Sequence, residues 1–233
     1  MPSARSLFEQ GQLAAAVEAL GLEVRGHPTD VQRRTFLFEL LTFTGDYARA
    51  GKQLDVLAQA GHMAEAGVML YRAAIGAERV REHMFDTGDL PGGDAPTPVS
   101  GILNGTRFQS IEDADPRIGA RLEVMAGGRY LWIPFAHIAS LTIQPPARLR
   151  DLHWSPAQLR TGPSIRDMDL GEVLLPALSP AAWRLPDDDL RLGRAADWDE
   201  LPTGDFAPIG QKLLRVDDRL VPLLDVRELV VDS

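Results

Sequence analysis

The chain has 233 residues, 45% of them apolar and 24% charged, with a net charge of −9 and no cysteine. That length and balance predict an ordinary folded protein of one large or two small domains, with enough chain for a substantial core. The lack of thiols excludes disulfides, thiolate zinc sites, iron–sulfur clusters and cysteine nucleophiles, and the acidity argues against nucleic acid or an anionic membrane as a main partner.

No apolar run approaches the roughly 18 residues of a membrane span. The opening Met1-Pro2-Ser3-Ala4-Arg5 leads into a mixed helical pattern and not into the apolar stretch of a signal peptide. The expectation is a cytoplasmic protein with no membrane insertion.

An internal repeat comes first along the chain. Gly11-Gln12-Leu13-Ala14-Ala15-Ala16, then Leu20 and Pro28, aligns with Gly45-Asp46-Tyr47-Ala48-Arg49-Ala50, then Leu54 and His62. The common offset of about 34 residues is the period of the tetratricopeptide repeat, a helix–turn–helix unit. Gly11 and Gly45 fall where the turn between paired helices needs a permissive backbone. Ala16 and Ala50 fall where the helices cross closely. Thr29-x-x-Gln32 reads as a capping box opening the next helix. Phe36, Leu37, Phe38, Leu40 and Leu41 give that helix a broad buried stripe. A further helix is expected from about Ala64 to Phe85. Arg34 and Val68 stand where the repeat usually carries an early aromatic; a plain helical bundle is the alternative.

Such arrays present a groove to an extended peptide or a helix. The repeat register places Gln32, Thr35, Glu39, Thr42 and Phe43 on that groove, followed by Ala66, Met69, Ala73 and Gly76. The competing reading is that these residues pack against the rest of the protein.

Residues 1–86 are therefore read as a helical-repeat domain, 87–106 as a Gly/Pro-rich linker with Asn104-Gly105 as a turn, and 107–233 as a compact, mainly β domain. The overall class is α+β. Arg121–Met125 and Arg129–Ile133 read as a hairpin around Ala126-Gly127-Gly128. Ala139–Gln144 and Gly171–Leu175 are further strands. Lys212–Val216 and Leu220–Leu224 form a last hairpin over Asp217-Asp218, which Glu228–Val231 is expected to extend. The eleven prolines from Pro134 to Pro222 exclude long central helices.

Chemistry-bearing motifs are sparse. His27, His62, His83, His137 and His153 show no i, i+3 or i+4 pairing, and there is no HExxH, P-loop, GxGxxG or GxSxG. No metal site or cofactor is expected. His27 and His62 read as helix caps. Asp187-Asp188-Asp189 reads as a solvated loop, with cation binding the alternative. Asp113 with Asp115, and Arg150 with Asp151, are acid–base candidates whose structural reading is turns and ion pairs. Trp132, Trp154, Trp183 and Trp198 all lie in the C-terminal half, where an exposed one would anchor an interface.

The run Ile111-Glu112-Asp113-Ala114-Asp115-Pro116-Arg117-Ile118-Gly119, followed by Gly127-Gly128-Arg129-Tyr130-Leu131-Trp132-Ile133-Pro134-Phe135, resembles the signature of the ImpE/TagJ (SciE-type) family. In order come Pro146-x-x-Leu149-Arg150-Asp151-Leu152-x-Trp154-x-Pro156, Leu190-x-Leu192-Gly193-Arg194 with Trp198, Gly210-Gln211-Lys212-Leu213-Leu214 and Pro222-Leu223-Leu224-Asp225-Val226-Arg227. The resemblance implies an accessory role in type VI secretion. It implies binding of a helix of the small sheath subunit, an association with the AAA+ unfoldase ClpV that recycles contracted sheath, and a signature surface of Trp132, Arg150, Asp151 and Trp154. Two departures stand out. The helical segment that members carry after the region matching Met84-Phe85 is missing, and Leu175-Pro176-Ala177-Leu178-Ser179-Pro180 replaces a Pro-Thr-Arg-Tyr-Pro-like stretch.

Three functions are thus in play: a non-catalytic adaptor, a hydrolase or transferase built on Asp113, Arg150 and Asp151, and a purely structural oligomeric subunit. The first needs an open groove and the second a pocket onto which those three side chains converge.

Overall fold

The two repeat glycines both take left-handed backbone angles, φ 74° at Gly11 and 68° at Gly45. Each joins a helix pair in a computed structural model that describes residues 2–61, 65–92, 97–162 and 170–232. The first pair is α1 (Ala4–Glu9) with α2 (Leu13–Gly26), and the second is α3 (Val31–Phe43) with α4 (Tyr47–Gln59). Ala16 and Ala50, one period apart, are both fully buried, as are Leu20 and Leu54. The repeat is therefore a packing repeat. One end signal differs from expectation. Asp30, and not Thr29, caps α3, its carboxylate accepting the Arg33 N–H at 3.0 Å, because a side-chain oxygen directly before the first helical residue reaches the exposed amides best.

The third unit is half present. α5 (Glu65–Thr87) occupies the place of a first helix, but the next described element is a strand, β1 (Gly101–Leu103). The array is one short pair, one full pair and a lone 23-residue helix.

Residues 101–106, expected as linker, belong to the sheet. β1 turns back on β2 (Thr106–Phe108) through Asn104-Gly105. β4 (Arg121–Ala126) and β5 (Arg129–Pro134) form the expected hairpin. Gly127 and Gly128 are both at positive φ, as a two-residue turn matched to the strand twist requires. β3 (Ile111–Asp113) pairs with β11 (Leu213–Val216), which pairs in turn with β12 (Arg219–Pro222) across Asp217-Asp218. β13 (Glu228–Val231) does not extend this hairpin as expected. It crosses to the large sheet, between β1 and β6 (Ile138–Ile143). The eight-stranded order is β2-β1-β13-β6-β7-β8-β4-β5, with β7 at Trp154–Thr161 and β8 at Gly171–Pro176. β7 escapes sequence reading because of Pro156. β6 begins its pairing only at Ala157, so the proline sits where β7 has a neighbour on one side alone.

Leu122, Val124, Leu159, Leu175, Val216 and Leu229 form a core shared by the two sheets. The alternate residues Met125, Trp154 and Leu174 face the other way and join Phe38, Phe43 and Tyr71 of the helices in a second core. The β4–β7–β8 part of the sheet is thus buried on both faces. The helical half is cemented to the β half along it.

Gly45 marks this contact from the helical side. A Cβ placed on it would lie 2.5 Å from the Trp183 ring, whereas one on Gly61, with the same φ of 68°, meets nothing within 4 Å. Gly45→Ala is expected to lower stability by roughly 2–5 kcal/mol, combining left-handed strain with overpacking. Gly61→Ala should cost only the strain, about 1–2 kcal/mol. Urea unfolding of both variants checks this, and equal losses would show that Trp183 does not press on Gly45.

Candidate interaction surface

The groove expected from the repeat register divides into two parts. At the C-terminal end of α3 it is closed by the protein's own β domain. The Glu39 carboxylate pairs with the Arg150 guanidinium at 2.7 Å, and the same guanidinium lies 4.9 Å from the Tyr71 ring centroid. Phe43 meets His153 edge-on at 5.2 Å. Thr42 is fully buried, its hydroxyl donating to the Glu39 carbonyl at 2.7 Å. Ala73 is half-buried beside Gly128, the tip of the β4–β5 hairpin. Glu39, Thr42 and Phe43 are therefore covered. Periodicity identifies the apolar face of a helix but not what covers it. Gln32 remains exposed, Thr35 half-buried and Met69 61% exposed.

The expected signature surface is largely interior. Arg150, Asp151 and Trp154 are buried. Asp151 accepts the Ala147 and Arg148 N–H groups at 3.0 and 2.9 Å, fixing the turn of 3-10 helix at Leu149–Leu152. Trp154 donates its indole N–H to Glu78 at 3.1 Å. Trp132 alone is half-exposed, with its N–H on the Tyr130 hydroxyl at 2.5 Å. Arg150 and Trp154, through Glu39 and Glu78, tie the β half to the helices.

At the centre of that joint lies a buried ionic network. Arg81 of α5 makes two bonds to the Glu123 carboxylate of β4, at 2.7 and 3.0 Å. It also bonds Glu78 at 2.9 Å and the Leu178 carbonyl at 2.9 Å. The Lys212 ammonium bridges Glu123 and Asp113, the latter at 2.5 Å, and the Tyr130 hydroxyl donates to Glu123. Burial pushes Glu123 up, but the charges of Arg81 and Lys212 outweigh it and hold the carboxyl far below its ordinary range. For Asp113 burial outweighs the Lys212 charge and the bond from the Asp115 N–H at 3.0 Å, with Glu123 adding repulsion, and the carboxyl is pushed up to about 6. His153, sealed between Phe43 and Trp154, is lowered by burial to about 4. A second strap runs through Glu82, which accepts the Tyr47 hydroxyl at 3.0 Å and the Trp183 indole N–H at 2.7 Å.

The acid–base candidates do not converge. Asp113 is held by Lys212, Arg150 by Glu39, and Asp151 by main-chain amides. Among the described residues no group of three or more His, Asp or Glu is placed to hold a metal ion. Asp187 and Asp188 serve structure. Asp187 caps α6 (Asp188–Arg191), and Asp188 accepts the Leu13 N–H at 2.9 Å, capping α2, whose own N-cap Gln12 supplies no side-chain bond. His27 caps the other end of α2, Nδ1 at 3.2 Å from the Glu23 carbonyl; His62 lies outside the described residues.

What stays open is the outward face of α5. Phe38 and Thr42 of α3 are fully buried, whereas the residues 34 positions on, Arg72 and Gly76, are exposed. Along this face run Met69, Ala73, Gly76 and Val80, with Met69 61% and Val80 52% exposed and Ala73 half-buried at the margin beside Gly128. Their i, i+4, i+7, i+11 spacing makes one continuous stripe.

Three comparisons bear on this geometry. The family model described as ImpE protein matches residues 105–230. The type VI secretion system accessory component TagJ of Pseudomonas aeruginosa is 32% identical over 260 residues, covering 97% of this chain and 90% of the relative. That aligned stretch of 260 residues exceeds the 233 of this chain, so the relative carries additional residues within it. A crystal structure of a protein from Vibrio parahaemolyticus has the same fold, with a TM-score of 0.81, 22% identity and coverage of 99% and 97% of the two chains.

Asp113 and His153 give the joint opposed pH responses. Between about pH 4 and 6 the folded chain holds a proton on Asp113 that the unfolded chain has released, so this group's contribution falls as pH rises. From about 4 to 6.5 the unfolded chain protonates His153 while the folded chain does not, so that contribution rises with pH. Relative to the parent, Asp113→Asn is expected to gain stability from pH 4 to 6 and His153→Asn to lose it. Urea midpoints across that range test both, and parallel curves would refute the assignment.

Proposed function

The chain belongs to the ImpE family, and on that premise we propose that it is a non-catalytic accessory component of a type VI secretion system, an adaptor for a helix of the small sheath subunit. The observation that carries this reading is the stripe of α5, uncovered at Met69, Gly76 and Val80 and flanked at Ala73 by the β4–β5 hairpin tip. Met69, Ala73, Gly76 and Val80 present the i, i+4, i+7 anchors by which a helix is gripped lengthwise. Ala73 and Gly76 are small enough for close backbone approach, and Met69 adapts to an irregular partner surface. Arg72, paired with Asp55, and Arg79 border the stripe and favour an acidic flank on the partner helix. Gln32 and Thr35 extend the same groove toward α3.

The groove residues Glu39, Thr42 and Phe43 enter this reading as supports, since their contacts with Arg150 and His153 hold the rim of the groove rigid. Adaptor action asks only for two surfaces at a fixed separation. The cemented joint between helices and sheet supplies that, and the β domain is the side we assign to the AAA+ unfoldase. The work belongs in the cytoplasm, and no described helix is long and apolar enough to cross a membrane.

Titration of a fluorescent peptide carrying the terminal helix of the small sheath subunit tests the reading. Saturable binding is expected, weakened about tenfold or more by Met69→Glu or Val80→Glu, with the thermal transition of each variant unchanged. A folded protein that does not bind the helix would defeat the adaptor reading. Unchanged affinity in both variants would move the site away from α5.

A further inference from the structure

β9 (Ala196–Glu200) and β10 (Phe206–Gly210) form a two-stranded ribbon separate from both larger sheets. All five residues of β9 are exposed, and no other described strand pairs with it. The register tells which way its main chain points. At the two ends of the ribbon, the Leu201 N–H donates to Asp205 at 2.7 Å and the Gln211 N–H to Ala195 at 2.9 Å. In an antiparallel pair, bonded and non-bonded positions alternate. Asp197 and Asp199 are therefore bonded to β10, while Ala196, Trp198 and Glu200 direct their main-chain groups outward, the Trp198 N–H donating to the Asp197 carboxylate at 2.9 Å. Pro208 agrees with this, since it stands opposite Trp198, where no N–H is asked of it.

The side chains add two features. Directly opposed residues share a face, so Trp198, Pro208, Glu200 and Phe206 lie together on one side of the ribbon. Trp198 is 37% and Phe206 56% exposed there. Asp197 and Asp199 project from the opposite side. From Ala195 to Gln211 the chain carries Asp197, Asp199, Glu200 and Asp205 and no lysine or arginine. Like charge keeps a second copy of this edge away.

We infer that the outer edge of β9 accepts an extended basic segment of a partner protein as a third strand. Main-chain bonds form to Ala196 and Glu200, and to Trp198 once its N–H leaves the Asp197 carboxylate, which the incoming cation then engages. Apolar side chains of the incoming strand lie on the Trp198–Phe206 face, and its lysines or arginines meet Asp197 and Asp199. The recognised pattern is thus an alternation of basic and apolar residues, five or so long, as strand addition reads alternate side chains. The site shares no residue with the α5 stripe and stands independently of the helix-binding reading.

The probe is a capped, labelled peptide of alternating lysine and valine, titrated by fluorescence anisotropy into the full chain at low ionic strength, beside a glutamate–valine counterpart. Saturable binding of the lysine peptide alone is expected, weakening as salt rises. Glu200→Pro removes an outward N–H while leaving the bonds to β10 in place, and it is expected to cut affinity about tenfold or more. Asp197→Lys with Asp199→Lys should abolish lysine-peptide binding and create affinity for the glutamate peptide. Circular dichroism confirms that each variant is folded. No binding would overturn the proposal and leave the carboxylates as guards of a bare edge. Binding that survives Glu200→Pro undiminished, or equal binding of a helical lysine-rich peptide, would also overturn it, since charge alone would then be responsible.

Discussion

The angle at which α5 lies against the sheet turns on one guanidinium, that of Arg81. It is 1% exposed and reaches Glu123, Glu78 and the Leu178 carbonyl at once. A buried charge of this kind adds little net stability when fully paired, yet losing one partner costs about 3–5 kcal/mol because the remaining charge is stranded. Its main effect is on geometry. The planar fork of Arg81 admits one orientation of α5 relative to β4. Through Glu123 the constraint passes to Lys212 and Asp113, and so to the smaller sheet. Apolar packing of Met125, Trp154 and Leu174 against Phe38 and Tyr71 tolerates sliding; the ionic network does not.

Rigidity at this joint explains why the groove residues divide as they do. Glu39 and Phe43 lie where the β domain docks, and the sheet replaces the partner that an isolated repeat array would take there. Past the joint α5 runs on with no helix after it among the described residues, and its outward side lacks the neighbour that a further repeat would supply.

Much of this architecture was legible in the residues because local chemistry forced it. Gly11 and Gly45 needed left-handed backbone, Ala16 and Ala50 needed contact, and Gly127-Gly128 needed a tight turn. Each leaves a short-range mark. What escaped had no such mark. β13 leaves its neighbouring hairpin for a distant sheet, and nothing within Glu228–Val231 says so. β9 is exposed throughout, and its apolar–charged alternation lasts only from Ala196 to Asp199, too short a run to betray a strand. The family resemblance implies a surface at Arg150, Asp151 and Trp154, yet all three are interior. Arg150 and Trp154 are held by Glu39 and Glu78, far away in sequence, and Asp151 by the amides of its own turn. The cap of α2 is the extreme case, with Asp188 serving Leu13 across 175 residues.

That separation bears on how the chain is made. On the ribosome the helices emerge first, before Glu123, Leu178 and Asp188 exist as chain. Arg81 must wait 42 residues for its carboxylate and 97 for its carbonyl, and α2 must wait longer for its cap. Closing such long loops carries an entropic cost before any contact rewards it. The helices therefore emerge before the chain that covers Phe43 and Tyr71 exists, with Glu78, one turn earlier in α5, the carboxylate already at hand for Arg81, and the burial of the first half is completed by the second.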